Sequence, residues 1–190
     1  MVRGTDEAVR PLRADAARNR AQLLAAARDA FTERGAQASL EDIARRAEVG
    51  VGTLYRHFPT RHALLEAVYV EEVEALCASA GEPAGAAPWD ALVAWFNRFV
   101  DYVATKRALA EEMMANVGKD APVFRTCHDA IFAAGEPLLA RAKESGAVRS
   151  DVDFADVIRL VSGVTMIRNA TPDEIRRVLS VALDGLRYRA

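Results

Sequence analysis

The sequence has little of what would commit a chain to metal, redox or membrane chemistry. Its cysteines number two, Cys77 and Cys127, and its histidines three, His57, His62 and His128. The cysteines lie far apart in what reads as an intracellular chain, so free thiols are expected. No pair of histidines has the spacing of a zinc site, so neither a metal nor a cofactor is expected. There is no glycine-rich phosphate loop and no nucleophile elbow. Cys127 and His128 are adjacent, and on a helix they would diverge by about 100°, which excludes a catalytic dyad. The chain is therefore not read as an enzyme.

Long apolar runs are also missing. None approaches the ~20 residues of a membrane-spanning helix, and the start, MVRGTDEAVRPLRADAARNR, alternates charges where a signal peptide needs an apolar stretch of about 7–15 residues. A cytoplasmic location without a membrane partner is the expectation. Lysine is absent from residues 1–60, which carry ten arginines against eight acidic residues, a net of +2. The remainder holds 15 bases and 19 acids, a net of −4. That split fits a local nucleic-acid contact near the N-terminus but does not by itself argue for one.

What is present is helix. With 51% apolar and 27% charged residues, the 190-residue composition is that of a globular protein of one domain, or of a small one joined to a larger one. Apolar residues recur at three- and four-residue spacing and no stretch alternates like a half-buried strand, so the fold class is all-α, with about nine helices. After an N-terminal arm, 1–15, the first helix is expected over 16–34, with Leu23, Leu24, Ala27, Ala30 and Phe31 on one side and Gly35 as its stop. Ser39 caps a short second helix, with Asp42 placed as in a capping box. A third short helix ends at Pro59, which cannot continue the ladder. From Thr60 a long fourth helix buries Leu64, Leu65, Val68, Val73 and Leu76. Residues 80–88, AGEPAGAAP, form the one Gly/Pro-rich break. Beyond it, helices are expected at 89–105, 107–116, 122–144, 154–169 and 173–188, with Pro137 kinking or splitting the third of these.

The segment VGVGTLYRHF, residues 49–58, has a polar mix unlike core. On a helical projection Leu54 and Phe58 fall within about 40° of each other, with Val51 close by, and these three anchor the helix. Gly52, Thr53 and Arg56 lie opposite, and Tyr55 and His57 stand at the borders. Small residues let a helix approach the floor of the major groove, Arg donates twice to guanine, and a threonine methyl meets that of thymine. Tyr55 and His57 are placed to hold the flanking phosphates. With LEDIARRA before it, the segment completes a helix-turn-helix whose second helix enters the groove.

Residues 23–68 resemble the DNA-binding domain of TetR/AcrR-type transcriptional regulators. The likeness lies in Ala26-Ala27, Ala30-Phe31, Gly35, Asp42-Ile43-Ala44, Gly52-Thr53-Leu54-Tyr55 and His57-Phe58. It implies a dimeric, all-helical, usually repressive regulator: residues 16–60 bind a palindromic double-stranded DNA operator, and 61–190 form a ligand-binding and dimerisation domain. The DNA-contacting set it implies, together with the residue reading, is Ser39, Val51, Gly52, Thr53, Tyr55, Arg56, His57 and Arg61. Three positions depart from the family's habit. Glu48 stands where glycine is common and would be strained at positive φ. Gly50 replaces a serine cap. Arg61 replaces a lysine and keeps the phosphate-binding charge. The resemblance does not extend at the residue level into the C-terminal part.

That part holds many large soft side chains. Core packing accounts for most of them singly, but together they exceed what a compact bundle needs. Trp95, Phe99, Tyr102, Met113, Met114, Asn116, Phe124, Cys127, His128 and Ile131 are the candidate lining of a site for a small apolar or aromatic effector. Helix 154–169 carries two apolar stripes, one through Phe154, Val157 and Val161, the other through Leu160, Val164 and Ile167. Both sides must be covered, by the bundle or, preferably, by a partner subunit. Leu160, Val164, Ile167, Val178, Ala182 and Leu186 are the candidate interface of a homodimer. An all-helical protein-interaction adaptor and a regulator that activates are the alternatives. The mixture of Gly52, Thr53, Tyr55, Arg56 and His57 speaks against the adaptor.

Overall fold

The computed structural model describes residues 9–81, 85–117 and 122–187, with only the backbone described at 9–13, 36, 104–108 and 110–117. Eight α-helices follow in order: α1 (Val9–Arg34), α2 (Leu40–Arg46), α3 (Val51–His57), α4 (Arg61–Ala78), α5 (Pro88–Val117), α6 (Pro122–Glu144), α7 (Phe154–Thr165) and α8 (Pro172–Asp184). No strand occurs among the described residues beyond one isolated bridge, Val148 to Arg187. The all-α expectation holds, with eight helices and two short 3₁₀ turns among the described residues, close to the nine expected.

The difference in number comes from α5. Helices were expected at 89–105 and 107–116, but one helix runs from Pro88 to Val117. Its sequence from Val103 to Ala110, VATKRALA, offers neither glycine nor proline, so nothing interrupts the backbone ladder. Pro137 leaves α6 a single helix from Pro122 to Glu144. At the other end, α1 begins at Val9, inside the segment expected to be an arm.

The chain divides into two compact units. One comprises the described parts of Met1–Tyr69 and of Ala108–Gly118, the other those of Val70–Arg107 and Lys119–Ala190. The division therefore falls inside α4 and again inside α5, helices that supply residues to both.

In the first unit, α1 lays Leu23, Leu24, Ala27, Ala30 and Phe31, all fully buried, against α2 and α3. Gly35 takes φ +52°, the left-handed conformation that ends a helix with least cost when no Cβ is present. Ser39 caps α2, its Oγ accepting from the Asp42 N–H at 3.0 Å. Leu64, Leu65 and Val68 bury the first half of α4.

In the second unit the core is aromatic. Trp95 and Phe99 stack at 5.9 Å, Phe96 and Phe154 at 6.1 Å, and Phe132 meets Phe154 edge-on at 5.2 Å. The rings converge on Gly135 of α6, where a Cβ would lie 2.0 Å from Phe154 Cζ and 2.8 Å from Trp95 Cη2. Glycine is required here by close approach, not by backbone angle. The Trp95 indole N–H donates to the Leu76 carbonyl at 3.2 Å, and Ser79 Oγ donates to the same oxygen at 2.6 Å. Leu76 lies in the last turn of α4, where carbonyls lack intrahelical partners, so the two side chains serve as a cap. Asp153 caps α7, and α8 opens on a full capping box of Thr171 and Glu174 with Pro172 at its first position.

Candidate nucleic-acid interface

The helix-turn-helix is built by α2, the turn at residues 47–50, and α3. The turn is a Schellman motif. The Val49 N–H donates to the Ala44 carbonyl at 3.0 Å and the Glu48 N–H to the Arg45 carbonyl at 3.1 Å. This geometry puts residue 48 in the left-handed region, and Glu48 has φ 55°. The sequence expected strain at Glu48 if the turn needed positive φ, and it does.

α3 starts without a side-chain cap at Gly50, as expected of glycine there. The Thr53 N–H donates to the Gly50 carbonyl at 2.8 Å. Leu54 is fully buried and Phe58 nearly so, and these two anchor the helix. Val51, expected as a third anchor, is 43% exposed. It is the first residue of α3, ahead of any turn that could cover it, and joins the open face instead. Tyr55 is 45% exposed, Gly52 and Arg56 are exposed, and Thr53 and His57 are half-buried.

Gly52 is informative. It sits inside a helix, where glycine costs roughly 0.5–1 kcal/mol against alanine, and beyond its chain neighbours and its own helix backbone no described atom lies within 4 Å of where its Cβ would be. Nothing inside the protein asks for glycine. A surface that comes close to this backbone from outside would.

Between α1 and α2 runs a charged network that the sequence did not point to. Asp42 accepts from Arg45 and, at 2.9 Å, from Arg46, while Arg46 also donates to Glu33 of α1 at 2.8 Å. Arg34 lies 3.5 Å from Asp42. The Arg45 hydrogen bond holds the Asp42 carboxyl below its ordinary value, and the Arg46 hydrogen bond does so for Glu33. The i+3 and i+4 spacing of Arg45 and Arg46 from Asp42 was the available signal; the reach to Glu33 had none. Half of the expected capping box forms, with the Asp42 carboxylate engaged by arginines.

Ser39 and Arg61, both expected at DNA, are engaged within the protein. Ser39 caps α2. The Arg61 guanidinium donates to the Ala38 carbonyl and, at 3.3 Å, to that of Gly35, and its Cζ lies 5.0 Å from the Phe31 ring centroid.

Of the residues expected around an effector, Trp95, Phe99 and Tyr102 lie in one run of packed rings, all buried, with Phe99 and Tyr102 5.8 Å apart. Tyr102 also borders a pocket of about 330 Å³ together with Glu72, Leu76, Ser79, Arg98 and Asp101. Cys127 and Ile131 are buried on α6, and Phe124 is half-buried. His128 is exposed, stacked on Phe132 at 4.4 Å. The side chains of Met113, Met114 and Asn116 lie outside the described residues. Among the residues expected at a dimer interface, Leu160, Ile167 and Val178 are 41–42% exposed, Ala182 is half-buried, and Val164 and Leu186 are buried within the chain. Met166 at 68% and Val181 at 73% are open apolar positions that the sequence did not single out.

Similarity to known proteins covers two stretches of the chain. Residues 23–68 match the family model "Bacterial regulatory proteins, tetR family", and residues 87–188 match "Transcriptional regulator SbtR-like, C-terminal domain". The family likeness thus reaches well beyond 23–68, into the part where the sequence alone offered none. The chain is 27% identical over 183 residues to the HTH-type transcriptional regulator UidR of Escherichia coli K12, covering 93% of each. Among solved structures, the TetR transcriptional regulator SCO0520 from Streptomyces coelicolor is 40% identical, with a TM-score of 0.80 over 90% of this chain and 99% of that one. A TetR regulatory protein from Mycobacterium vanbaalenii is 37% identical, with a TM-score of 0.77 over 94% and 100%. A short second helix, a tight turn and an open, glycine-bearing third helix, matched by family models on both sides of the chain, have one reading: the chain belongs to the TetR family of transcriptional regulators, DNA-binding proteins rather than enzymes.

Proposed function

We propose that the chain is a ligand-responsive repressor that binds a palindromic operator as a homodimer and leaves it when a small apolar or aromatic effector binds. The observation that carries the DNA half of this reading is the open face of α3. Gly52 lies exposed with no neighbour at its Cβ position, and Arg56 and Tyr55 stand exposed beside it. Arg56 and Thr53 would read base edges, while Tyr55 and His57 would hold phosphates on either wall of the groove.

Support for pairing comes from α7 and α8, whose Leu160, Met166, Ile167, Val178 and Val181 leave apolar surface uncovered. Two-fold pairing of such faces matches a palindromic operator. The effector class is supported by the aromatic cluster of the second unit, whose Tyr102 also borders a pocket with Glu72, Ser79, Arg98 and Asp101. Repression is the family's usual direction of control. An effector that favours a state whose two recognition helices no longer match successive major grooves would release the DNA.

Fluorescence-anisotropy titration of the full chain on the intergenic duplex beside its own coding sequence tests the proposal. Sequence-specific, salt-dependent binding is expected. Failure to prefer any sequence over competitor DNA would sink it.

A further inference from the structure

Arg61 is the first residue of α4, and its guanidinium reaches back to the connection between α1 and α2. There it donates to two carbonyls, those of Gly35 and Ala38, which stand at either end of the 3₁₀ turn joining these helices. The Gly35 carbonyl already accepts from the Ala38 N–H at 3.2 Å, so one turn is braced twice. Beneath the guanidinium lies the fully buried ring of Phe31, 5.0 Å from Cζ to its centroid. Ala38 immediately precedes Ser39, the cap of α2, and Arg61 follows the exit of α3 through Phe58, Pro59 and Thr60.

We infer that Arg61 is a positioning residue for DNA binding: by joining Ala38 to the start of α4, it closes the helix-turn-helix at its two ends and fixes the angle at which α3 is presented. The inference rests on the DNA-binding reading of α3. It also assigns Arg61 a task different from the phosphate contact that its charge suggests. A forked, planar group that donates to two carbonyls while stacked on a ring is chemistry that arginine performs and lysine does not. Lysine would keep the charge and lose the fork.

The two roles separate by experiment. Arg61→Lys and Arg61→Gln are titrated in the full chain against a duplex that the wild-type protein selects from a random-sequence pool, across a range of salt, at a temperature where circular dichroism shows each variant folded. The latch predicts that both variants lose affinity alike, on the order of tenfold if the binding-competent arrangement falls to about a tenth of the population. The slope of log affinity against log salt stays at the wild-type value, since no phosphate contact is removed. A stabilising role alone would not lower the affinity of a fully folded variant. Wild-type affinity in Arg61→Lys, with Arg61→Gln losing about 0.9 from the salt slope, would instead identify a phosphate contact and overturn the inference. Unchanged affinity in both folded variants would overturn it as well.

Should the variants not fold, guanidinium NMR on the wild-type chain decides. Slowed rotation and unshifted Arg61 signals are expected before and after DNA is added, whereas signals that become ordered only with DNA refute the latch. If the wild-type chain selects no sequence from the pool, it is the DNA-binding reading that fails. The same NMR signals in the free protein then still report whether the latch exists.

Discussion

Glu33 of α1 accepts a hydrogen bond from Arg46 of α2 at 2.8 Å, and Arg46 holds Asp42 of its own helix at 2.9 Å with its other face. One guanidinium thereby ties the scaffold helix to the first helix of the DNA-binding motif. The Arg46 hydrogen bond depresses Glu33 from 4.5, and the Arg45 and Arg46 bonds depress Asp42 from 3.8. A carboxyl whose folded value lies below its unfolded one adds stability above the unfolded value, and that stability is lost as pH falls through the folded one. Glu33→Gln is expected to melt slightly below wild type at neutral pH and low salt. The two should converge as the pH falls below the ordinary carboxyl range and through the depressed value of Glu33, and also in roughly 1 M salt, where the screening length is ~3 Å. Thermal melts across pH and salt check this. A deficit that persists under acid conditions would show that the pair is not its source.

Glu48 sits at φ 55° in the left-handed position of the Schellman turn. A side chain there costs roughly 1–2 kcal/mol relative to glycine. Glu48→Gly is expected to gain about 1 kcal/mol, a rise in Tm of roughly 2–4 °C for a chain of this size. It should also tighten DNA binding by removing an anionic group next to α3. Glu48→Gln, which removes the charge and keeps the strain, should tighten binding without the gain in Tm. Equal melting of the two variants would show that the turn is not strained.

How far these features were legible in the sequence depended on how local their causes are. Gly35, the Ser39 cap and the Pro59 stop act within a few residues, and the end of α1 and the two short helices α2 and α3 fall where those signals place them. The exposure of Val51 was hidden because a helical projection assumes a turn on either side, and a helix starting at Val51 has none before it. α5 runs unbroken through 103–110, where the sequence holds neither glycine nor proline to end a helix. The use of Arg61 could not be read at all, since its partners are backbone carbonyls 23 and 26 residues earlier, which carry no residue signature.

Gly135 belongs to the same class, set by tertiary approach alone. Alanine inside a helix is ordinarily favoured over glycine by about 0.5–1 kcal/mol. Here its Cβ would fall 2.0 Å from Phe154 Cζ, and the buried Phe154 ring is held by Phe96 and Phe132 and cannot swing aside freely. Overpacking costs typically about 1–3 kcal/mol, so the clash wins and Gly135→Ala is expected to be destabilised. Denaturant unfolding measures the sign. A more stable variant would mean that the ring cluster has slack, as a pre-formed effector space would provide.

Exposed Arg56 and Tyr55 should differ in what they contribute to the operator. Arg56→Ala is expected to cost about 1–3 kcal/mol and to relax preference at one base pair, as loss of a bidentate contact does. Tyr55→Phe and His57→Ala should weaken binding to all sequences alike. Titration against a set of single-base operator variants resolves the two patterns. Equal losses on every variant after Arg56→Ala would place that guanidinium on phosphate.

Val181 is 73% exposed on α8, near Val178 at 42%, and α7 leaves Leu160 and Ile167 at 41%. Because Val181 is so exposed on its own chain, Val181→Glu should leave the circular-dichroism spectrum of the folded chain almost unchanged, while losing the part of the melting temperature that pairing adds to the wild-type chain. Placed against a second copy of the same face, the carboxylate would be buried without a partner, which costs several kcal/mol per ion. Sedimentation of the wild-type chain at micromolar concentration is expected to give a dimer, and of Val181→Glu a monomer. The variant should then bind half-operators and full operators with similar affinity, having lost the gain from linking two sites. A variant that still sediments as a dimer would move the interface away from the exposed face of α8.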